Sequence, residues 1–538
     1  MKSIYYNGEI YTGSLPLQEA FAAEAGRILA CGSSREMLEM AEPGDEMVDL
    51  GGCFVCPGFH DSHMHLLNYG QTLSGARLGE HTDSLAGLLA YLKDFLAENP
   101  PRPGQWLKGR GWNQDYFRDE KRMPDRRDLD QVSERVPVMI TRACGHSCVV
   151  NSAVLKLAGI NRNTPDPEGG AIGRDEEGEP DGRLYENAIE MLNPVMPQPG
   201  PEDIKDMLRR AIRAVHAYGI TGVQSDDYST FRGVPWQLIN QAYRELETAG
   251  ELSLDVTEQC NFTELEDLQV FLEAEDISGA GGDCFRIGPL KILGDGSLGS
   301  RTAHLSMPYL GTEERGFSLF TPEHLKAMIG LAHARGMQVA VHAIGDACLE
   351  EVLDAIEEAV TAHPRADHRH GIVHCQISRP EQLERMARLG LHVYAQSIFL
   401  DYDNHIVEKL VPPELAGSSY SWKSLMKQGV TVSNGSDCPV ELPDVMAGIQ
   451  CAVTRCSLDG TGPYLPGEAF TVQEALDSFT KASARAVFRE GISGALQPGY
   501  QADFVILSQN PFRTEPEKLR ETQVLATYHR GKRVFVRK

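Results

Sequence analysis

The chain has 538 residues, of which 41% are hydrophobic and 24% charged, a composition typical of a globular protein with a sizeable core. Its formal net charge of −25 disfavours binding to nucleic acid and to anionic membrane surfaces. No apolar run approaches the roughly 18 residues that a membrane-spanning helix needs, so no membrane span is expected.

The cysteines and the N-terminus together indicate the compartment. The first residues reach an Asn-Gly turn before the apolar core of a signal peptide could form. Without such a signal, the twelve scattered cysteines are interpreted as reduced thiols and the location is expected to be cytoplasmic. Cys53 and Cys56 form a C-x-x-C pair, which has no second pair at zinc-ribbon spacing and is interpreted as structural.

Both ends of the chain are predicted to be rich in β-structure. Short apolar strands flank the turn at Asn7-Gly8, and strand patterns recur at 499–507 and 524–536. We therefore predict one composite β-sandwich domain made of residues 1–54 and 490–538.

A large insertion is predicted at about residues 70–203. This stretch is weakly periodic and carries turn clusters, for example at 100–104 and 176–182. We expect it to contain some strands and helices and to fold over a site.

From about residue 203 onward, helix patterns alternate with short apolar strands. Thr321-Pro322 is a helix-start signal, and Thr471 with Glu474 forms a capping-box pattern. Eight buried strands are predicted, near residues 55, 220, 252, 285, 338, 371, 392 and 430. Eight strands alternating with helices predict an α/β fold of the TIM-type (β/α)8 barrel class, spanning residues 55–489.

The first of these strands ends in a His-x-His pair, His63 and His65. Side chains alternate along a strand, so both imidazoles lie on one face, as the first ligands of a zinc ion would. Taken alone, such a pair is also compatible with surface or packing histidines.

Four more chemically active residues stand at the ends of later strands. His342 and His374 are individually compatible with core histidines, and Asp437 with a helix cap. Lys291 lies among apolar residues, where an ammonium is costly unless it is paired or neutralised. A neutral buried amine can react with carbon dioxide, and the resulting carbamate can bridge two metal ions. A structural ammonium paired with Asp295 is the alternative.

The order of these residues resembles the amidohydrolase superfamily, whose signature is His-x-His, Lys or Glu, His, His and Asp on strands one, four, five, six and eight. Segment 57–65 matches the entry motif of that superfamily, while segments 145–147, 291–303 and 341–346 resemble the branch that contains N-substituted formamide deformylases. Two positions depart from the pattern. His60 replaces a common apolar residue and is excluded as a ligand, because it lies on the opposite strand face. Val373 replaces a common acidic residue before His374.

The resemblance implies a metal centre with one or two divalent ions, Zn²⁺ first among them. One ion would be held by His63, His65 and Asp437, and the other by the remaining two histidines, His342 and His374. A carboxylated Lys291 (N6-carboxylysine) would bridge them; a one-metal variant would leave it unmodified.

The implied reaction is hydrolysis of an amide or formamide C–N bond by a metal-activated hydroxide. In this scheme Asp437 takes the proton of the attacking water and passes it to the departing amine. The alternatives are a mononuclear deaminase of the same superfamily and a non-catalytic scaffold. The expected partner is a small-molecule amide, with no nucleic acid and no membrane, and self-association as a homodimer stays an option.

Four further residues are candidates for substrate contacts. His146, Arg301 and Gln396 lie in motifs that resemble pocket-lining segments of the family. Trp112 is a candidate lid aromatic. Helix capping for His146, a surface ion pair for Arg301 and simple packing for Trp112 are the alternative roles.

Overall fold

A computed structural model describes residues 1–81, 83–143, 147–231, 233–275 and 277–538. These residues form two compact units, one made of Met1–Tyr69 with Ile204–Lys538 and the other of Gly70–Asp203. Among the helices of the described ranges, none is both long and apolar enough to cross a membrane. The domain boundaries expected from the sequence, 1–54 with 490–538 and 55–489, remain predictions.

The strands of the described chain are, in order, β1 (Lys2–Tyr6), β2 (Glu9–Ile10), β3 (Ala20–Glu24), β4 (Arg27–Gly32), β5 (Glu46–Asp49), β6 (Phe54–Pro57), β7 (Phe59–Met64), β8 (Ala76–Arg77), β9 (Leu107–Trp112), β10 (Val138–Arg142), β11 (Ser147–Val150), β12 (Gly170–Arg174), β13 (Pro180–Glu186), β14 (Ile220–Ser225), β15 (Asp255–Asn261), β16 (Phe285–Leu293), β17 (Val339–Ala343), β18 (Gly371–His374), β19 (His392–Ala395), β20 (Thr431–Asn434), β21 (Phe504–Leu507), β22 (Val524–His529) and β23 (Lys532–Val536).

The α-helices are α1 (Ser34–Glu39), α2 (Leu66–Ser74), α3 (Leu85–Glu98), α4 (Arg126–Asp130), α5 (Ser152–Ala158), α6 (Pro201–His216), α7 (Trp236–Thr248), α8 (Leu265–Ala274), α9 (Pro322–Ala334), α10 (Asp346–Ala362), α11 (Pro380–Leu389), α12 (Leu400–Asp403), α13 (Val407–Leu410), α14 (Pro413–Ala416), α15 (Trp422–Lys427), α16 (Val445–Thr454), α17 (Val472–Ser478) and α18 (Lys481–Ala486). Short 3₁₀ turns lie at Leu78–His81, Gln114–Tyr116, Asn187–Leu192, Ser397–Phe399, Pro466–Glu468 and Pro516–Glu521.

Strands from both chain ends form two sheets. One has the order β4-β3-β1-β5 and the other β2-β6-β21-β22-β23. An aromatic cluster joins the two ends: Tyr5 stacks on Phe21 at 4.7 Å between ring centroids, and Phe504 stacks on Tyr528 at 4.3 Å. Since Tyr5 also meets Phe504 edge-on at 4.9 Å, neither end completes this core without the other.

Eight parallel strands form the central sheet, in the order β20-β19-β18-β17-β16-β15-β14-β7. The end of this order returns to its start, because Asp437 donates its N–H to the carbonyl of His63 (2.8 Å) and His65 donates to that of Cys438 (2.7 Å). The predicted (β/α)8 barrel is confirmed. Its first strand begins at Phe59, and the preceding Phe54–Pro57 pairs with β21 in the terminal sheet.

Local signals placed the helix ends correctly. Thr321 caps α9, whose first residue is proline, and Thr471 and Glu474 form the expected capping box at α17. Gly390 ends α11 in the left-handed region, at φ 65°. One glycine is required by close packing: a Cβ at Gly58, just before β7, would lie 2.2 Å from Oγ1 of Thr221.

The second unit, Gly70–Asp203, contains a six-stranded sheet in the order β12-β13-β11-β10-β9-β8. Alternate residues of β10 join different hydrophobic clusters: Ile140 packs in the cluster with Trp112 and residues of α3, and Met139 packs in the cluster with Val154 of α5. Both faces of this sheet are therefore covered, as the period of two requires.

Candidate metal centre

The two histidines of the His-x-His pair are oriented by neighbouring strands. Nδ1 of His63 lies 2.6 Å from Oε1 of Gln259, and Nδ1 of His65 lies 2.9 Å from the backbone oxygen of Asp226. Because these partners are carbonyl oxygens, each Nδ1 donates its proton, so Nε2 is the ring atom that faces the centre and becomes a ligand atom once its own proton is lost. This arrangement is typical of metal-binding histidines.

Both Nε2 atoms point at one carboxylate. Oδ1 of Asp437 lies 3.4 Å from Nε2 of His63 and 3.1 Å from Nε2 of His65. Burial raises the pKa of Asp437, but hydrogen bonds from His63 and His65 outweigh burial and bring that pKa well below its usual range. Burial lowers the pKa of His65, but Asp437 and Asp226 outweigh it and raise that pKa to about 9. A proton or a metal cation between the Asp437 carboxylate and the two histidines is therefore strongly favoured.

His374 completes a three-group cluster. It is the last residue of β18, and its Nδ1 lies 2.7 Å from Oε1 of Gln396, so its Nε2 is free as well. One ligand atom each from His63, His374 and Asp437 lie within 4.8 Å of one another. Burial, reinforced by the nearby His342 ring, brings the pKa of His374 well below its usual value and favours the neutral ligand form.

The backbone is strained at two of these residues. His374 has φ 73° and Asp437 has φ 58°, in the left-handed region that residues other than glycine seldom adopt. Strain of this kind persists where the surrounding structure holds a side chain in a required direction.

His342 lies beside the cluster but faces a different partner. Its ring centroid is 4.5 Å from that of His374, whereas its Nε2 lies 3.2 Å from the Gly296 oxygen and 3.3 Å from Oδ1 of Asp295. In this conformation His342 is directed at the loop after β16 and not at Asp437.

Lys291 is fully buried and pairs with an aspartate that the sequence reasoning did not name. Its Nζ lies 3.7 Å from Oδ2 of Asp226, and the same oxygen accepts a hydrogen bond from Asn261 (2.9 Å). Among the described residues Lys291 pairs with Asp226 and not with Asp295, the alternative partner considered from the sequence. Its carboxylate accepts the backbone N–H groups of His304, Ile344 and Gly345, so it is already occupied beyond the strand end.

Several supporting residues were missed from the sequence. Gln259 and Asp226 orient His63 and His65, and Asn261 holds Asp226. A usable signal existed, since these polar residues lie at the carboxyl ends of the second and third barrel strands. Asp61 is a further case: it accepts hydrogen bonds from Oγ and N of Ser436 (2.5 and 3.1 Å), beside Asp437. Burial raises the pKa of Asp61 to about 7.

The predicted substrate contacts stay predictions. His146 lies outside the described residues, Trp112 is fully buried in a core cluster of the second unit, and Arg301 is exposed. Gln396 is buried and holds His374, which gives it a positioning role.

The donor set fits a divalent cation. Imidazole nitrogens and a carboxylate oxygen are the ligands that zinc and similar ions bind. Here two imidazoles and one carboxylate converge, and the outer nitrogen of each imidazole is held by a glutamine side-chain oxygen.

Comparisons with known proteins agree with this chemistry. A model of the amidohydrolase family matches residues 46–535. The Bacillus subtilis (strain 168) protein YtcJ, which is named as an amidohydrolase, is 34% identical over 549 residues, covering 99% of each chain. The N-substituted formamide deformylase of Arthrobacter pascens is 29% identical, over 95% of this chain and 94% of its own. The crystal structure of an uncharacterized metal-dependent hydrolase from Pyrococcus furiosus superposes with a TM-score of 0.78 and 29% identity, covering 95% of this chain and all of its own.

Proposed function

The chain belongs to the amidohydrolase family, and from that premise we propose that it is a metal-dependent hydrolase of non-peptide C–N amide bonds, acting on an N-substituted formamide or N-acyl amine. The observation that carries the proposal is the convergence of His63, His65 and His374 on Asp437 at the carboxyl ends of the barrel strands. The formamide class is supported by the likeness to the deformylase along nearly the whole chain.

The proposed ion is Zn²⁺, one or two per chain. His63, His65 and Asp437 would hold one ion, and His342 and His374 the other, with a carboxylated Lys291 between them. When bound, such an ion supplies Lewis acidity, polarising a carbonyl and lowering the pKa of water toward about 7.

Asp437 is the proposed proton carrier. Its low pKa keeps it as a carboxylate at neutral pH, so an oxygen of this group can accept a proton from the attacking water. The same group then passes that proton to the amine nitrogen as the C–N bond breaks. Asp61 and Ser436 hold the adjoining turn and thereby fix the direction of this carboxylate.

A mononuclear deaminase is the second candidate. It is favoured by one specific observation, the ion pair of Lys291 with Asp226, which suits an unmodified ammonium and a single ion. The two candidates differ in product, since a deaminase releases ammonia and an amidohydrolase of the proposed class releases a carboxylic acid and a substituted amine.

The test is product analysis with zinc-supplemented protein on a panel of N-formyl and N-acyl amines together with amino-heterocycles. We expect formate or another acid to appear with the amine, and Asp437→Asn to lose most of this activity. Ammonia from the heterocycles would identify the deaminase, and no turnover on either panel by metal-loaded protein would contradict both. A small-molecule amide is thus the proposed partner, in a cytoplasmic enzyme that is a monomer or homodimer.

A further inference from the structure

A second polar cluster lies at the opposite ends of the barrel strands, away from the metal centre. There a small cavity separates the first residues of β14 and β15 from the segment after α17. We propose that this cavity binds a small monovalent anion such as chloride, held by Arg489, Arg286 and His60.

The first argument is that buried N–H groups face this cavity without protein partners. Arg489 is only 6% exposed, and its Nε and Nη1 have no hydrogen-bond partner in the described chain. The Nε of Arg286 and the Nε2 of His60, which is 9% exposed, are likewise buried and unpartnered there. All three residues line the cavity. Buried donors of this kind are costly unless an acceptor satisfies them.

The second argument is the charge around the cavity. Asp255, which also lines it, is already bound by Arg530 (Nη2, 2.8 Å), by Nη2 of Arg489 (3.2 Å) and by Nε2 of His529 (3.2 Å). Asp503 accepts the N–H of Arg530 at 2.6 Å. Asp283 also pairs with Arg530 (3.8 Å), so the nearby carboxylates are engaged by other groups and none of them reaches the Nε and Nη1 of Arg489, which are left for an anion.

The guanidinium groups of Arg286 and Arg489 repel each other. Burial lowers the pKa of the Arg286 guanidinium, and the nearby Arg489 lowers it further. Burial also lowers the pKa of His60 to about 4, so its imidazole is neutral and has one N–H to offer. An anion between the two guanidinium groups would relieve their repulsion and accept their free protons.

A metal cation suits the place less well, although Asp255, Cys284 and His529 have ligand atoms within 4.8 Å of one another. The Asp255 carboxylate is committed to two arginines, and burial raises the pKa of Cys284 to about 12, which keeps its thiol protonated. The cavity is large enough for at least one water-sized ion.

The site has a structural consequence. Arg286 and His60 belong to the barrel strands β16 and β7, whereas Arg489 lies in the segment that leads from α18 to the terminal sheet. A bound anion would therefore link the barrel to the C-terminal segment, and halide should stabilise the folded protein by mass action.

The experiment measures thermal unfolding of the full chain in sodium chloride, sodium bromide and sodium gluconate at equal ionic strength. We expect both halides to raise the Tm in a saturable way, on the order of 1–3 °C, relative to gluconate. Arg489→Met should lose this response, whereas Arg388→Met, which alters an exposed arginine, should keep it. An unchanged response in Arg489→Met would overturn the proposal.

Crystals of the wild-type protein grown in bromide provide a second test, which does not require any variant to fold. We expect an anomalous peak in the cavity within hydrogen-bonding distance of Arg489 and Arg286. Ordered water at that position with no anomalous signal would also overturn the proposal.

Discussion

Nζ of Lys291 lies 3.7 Å from Oδ2 of Asp226, and each side chain is only 1% exposed. A buried ammonium is tolerated because this carboxylate offsets its charge. A carbamate on Lys291 would instead place a second anion beside Asp226, which only nearby cations could balance. The unmodified form of Lys291 therefore needs a neighbouring anion, whereas the carboxylated form needs neighbouring cations. Substitution of Lys291 can distinguish the two forms.

Our first prediction concerns Lys291 itself. If it is carboxylated, Lys291→Ala should lose metal and activity together, and short carboxylic acids with bicarbonate should partly restore both. Lys291→Arg should not restore them, since a guanidinium stays protonated and forms no carbamate. Metal content and turnover are measured on the same preparations. An Arg variant with two bound ions and near-normal turnover would exclude the carbamate.

The metal content of the wild-type protein is the second prediction. Three convergent ligands with His342 and Lys291 nearby predict close to two divalent ions per chain, measured by plasma emission. A value near one would support the mononuclear form. Chelation should abolish turnover and zinc should restore it; a value near zero in zinc-supplemented protein would refute the metalloenzyme proposal.

Asp437→Asn should keep the fold and lose most of the hydrolysis, by on the order of 10²–10⁴-fold, because an amide cannot accept the proton. We expect metal to remain bound in this variant. The control is Asp459→Asn, which alters an exposed carboxylate and should leave turnover unchanged. Wild-type-like turnover in Asp437→Asn would remove this residue from the mechanism.

The fourth prediction tests the amide that orients His374. Gln396→Leu removes the acceptor 2.7 Å from Nδ1, so the ring can turn or change tautomer. Metal affinity should fall by about 10–100-fold, as is typical when such a partner is lost. Competition with a metal indicator measures it. Gln269→Leu, at an exposed helix position, is the matched control, and equal affinities in both variants would contradict the assignment.

Our fifth prediction concerns stability at low pH. Nδ1 of buried His370 accepts the N–H of Val339 (3.1 Å), and its Nε2 lies 2.8 Å from Nδ1 of His333. Burial, with repulsion from His368 and His333, brings the pKa of His370 well below 6.5. The unfolded chain therefore binds the extra proton first, and stability should fall as pH drops below about 6.5.

The measurement is denaturant unfolding at pH 7.5 and pH 5.5. The wild-type protein should lose stability between the two, with His370 contributing up to about 1.4 kcal/mol per pH unit below 6.5. His370→Asn keeps an acceptor for Val339 but does not titrate, so its loss should be smaller. An identical loss in both proteins would show that His370 is not responsible.

Much of the molecule could be predicted from the sequence because the governing signals are local. Apolar runs bounded by turns placed the eight barrel strands, and the capping pattern at Thr471 placed a helix start. The period of two along a strand put His63 and His65 on one face, where Asp437 now meets both. The order of ligands along the chain indicated the family that the comparisons show.

Only the tertiary structure decided which side chains support the ligands. Asp226 reaches Lys291 from another strand, and Gln259 reaches His63 across 196 positions of sequence, contacts that no periodicity encodes. The direction of His342 likewise depends on the loop after β16 that carries Asp295. Alternation and capping act within a few residues, whereas these pairings depend on how separate strands are brought together and on which rotamers packing then allows.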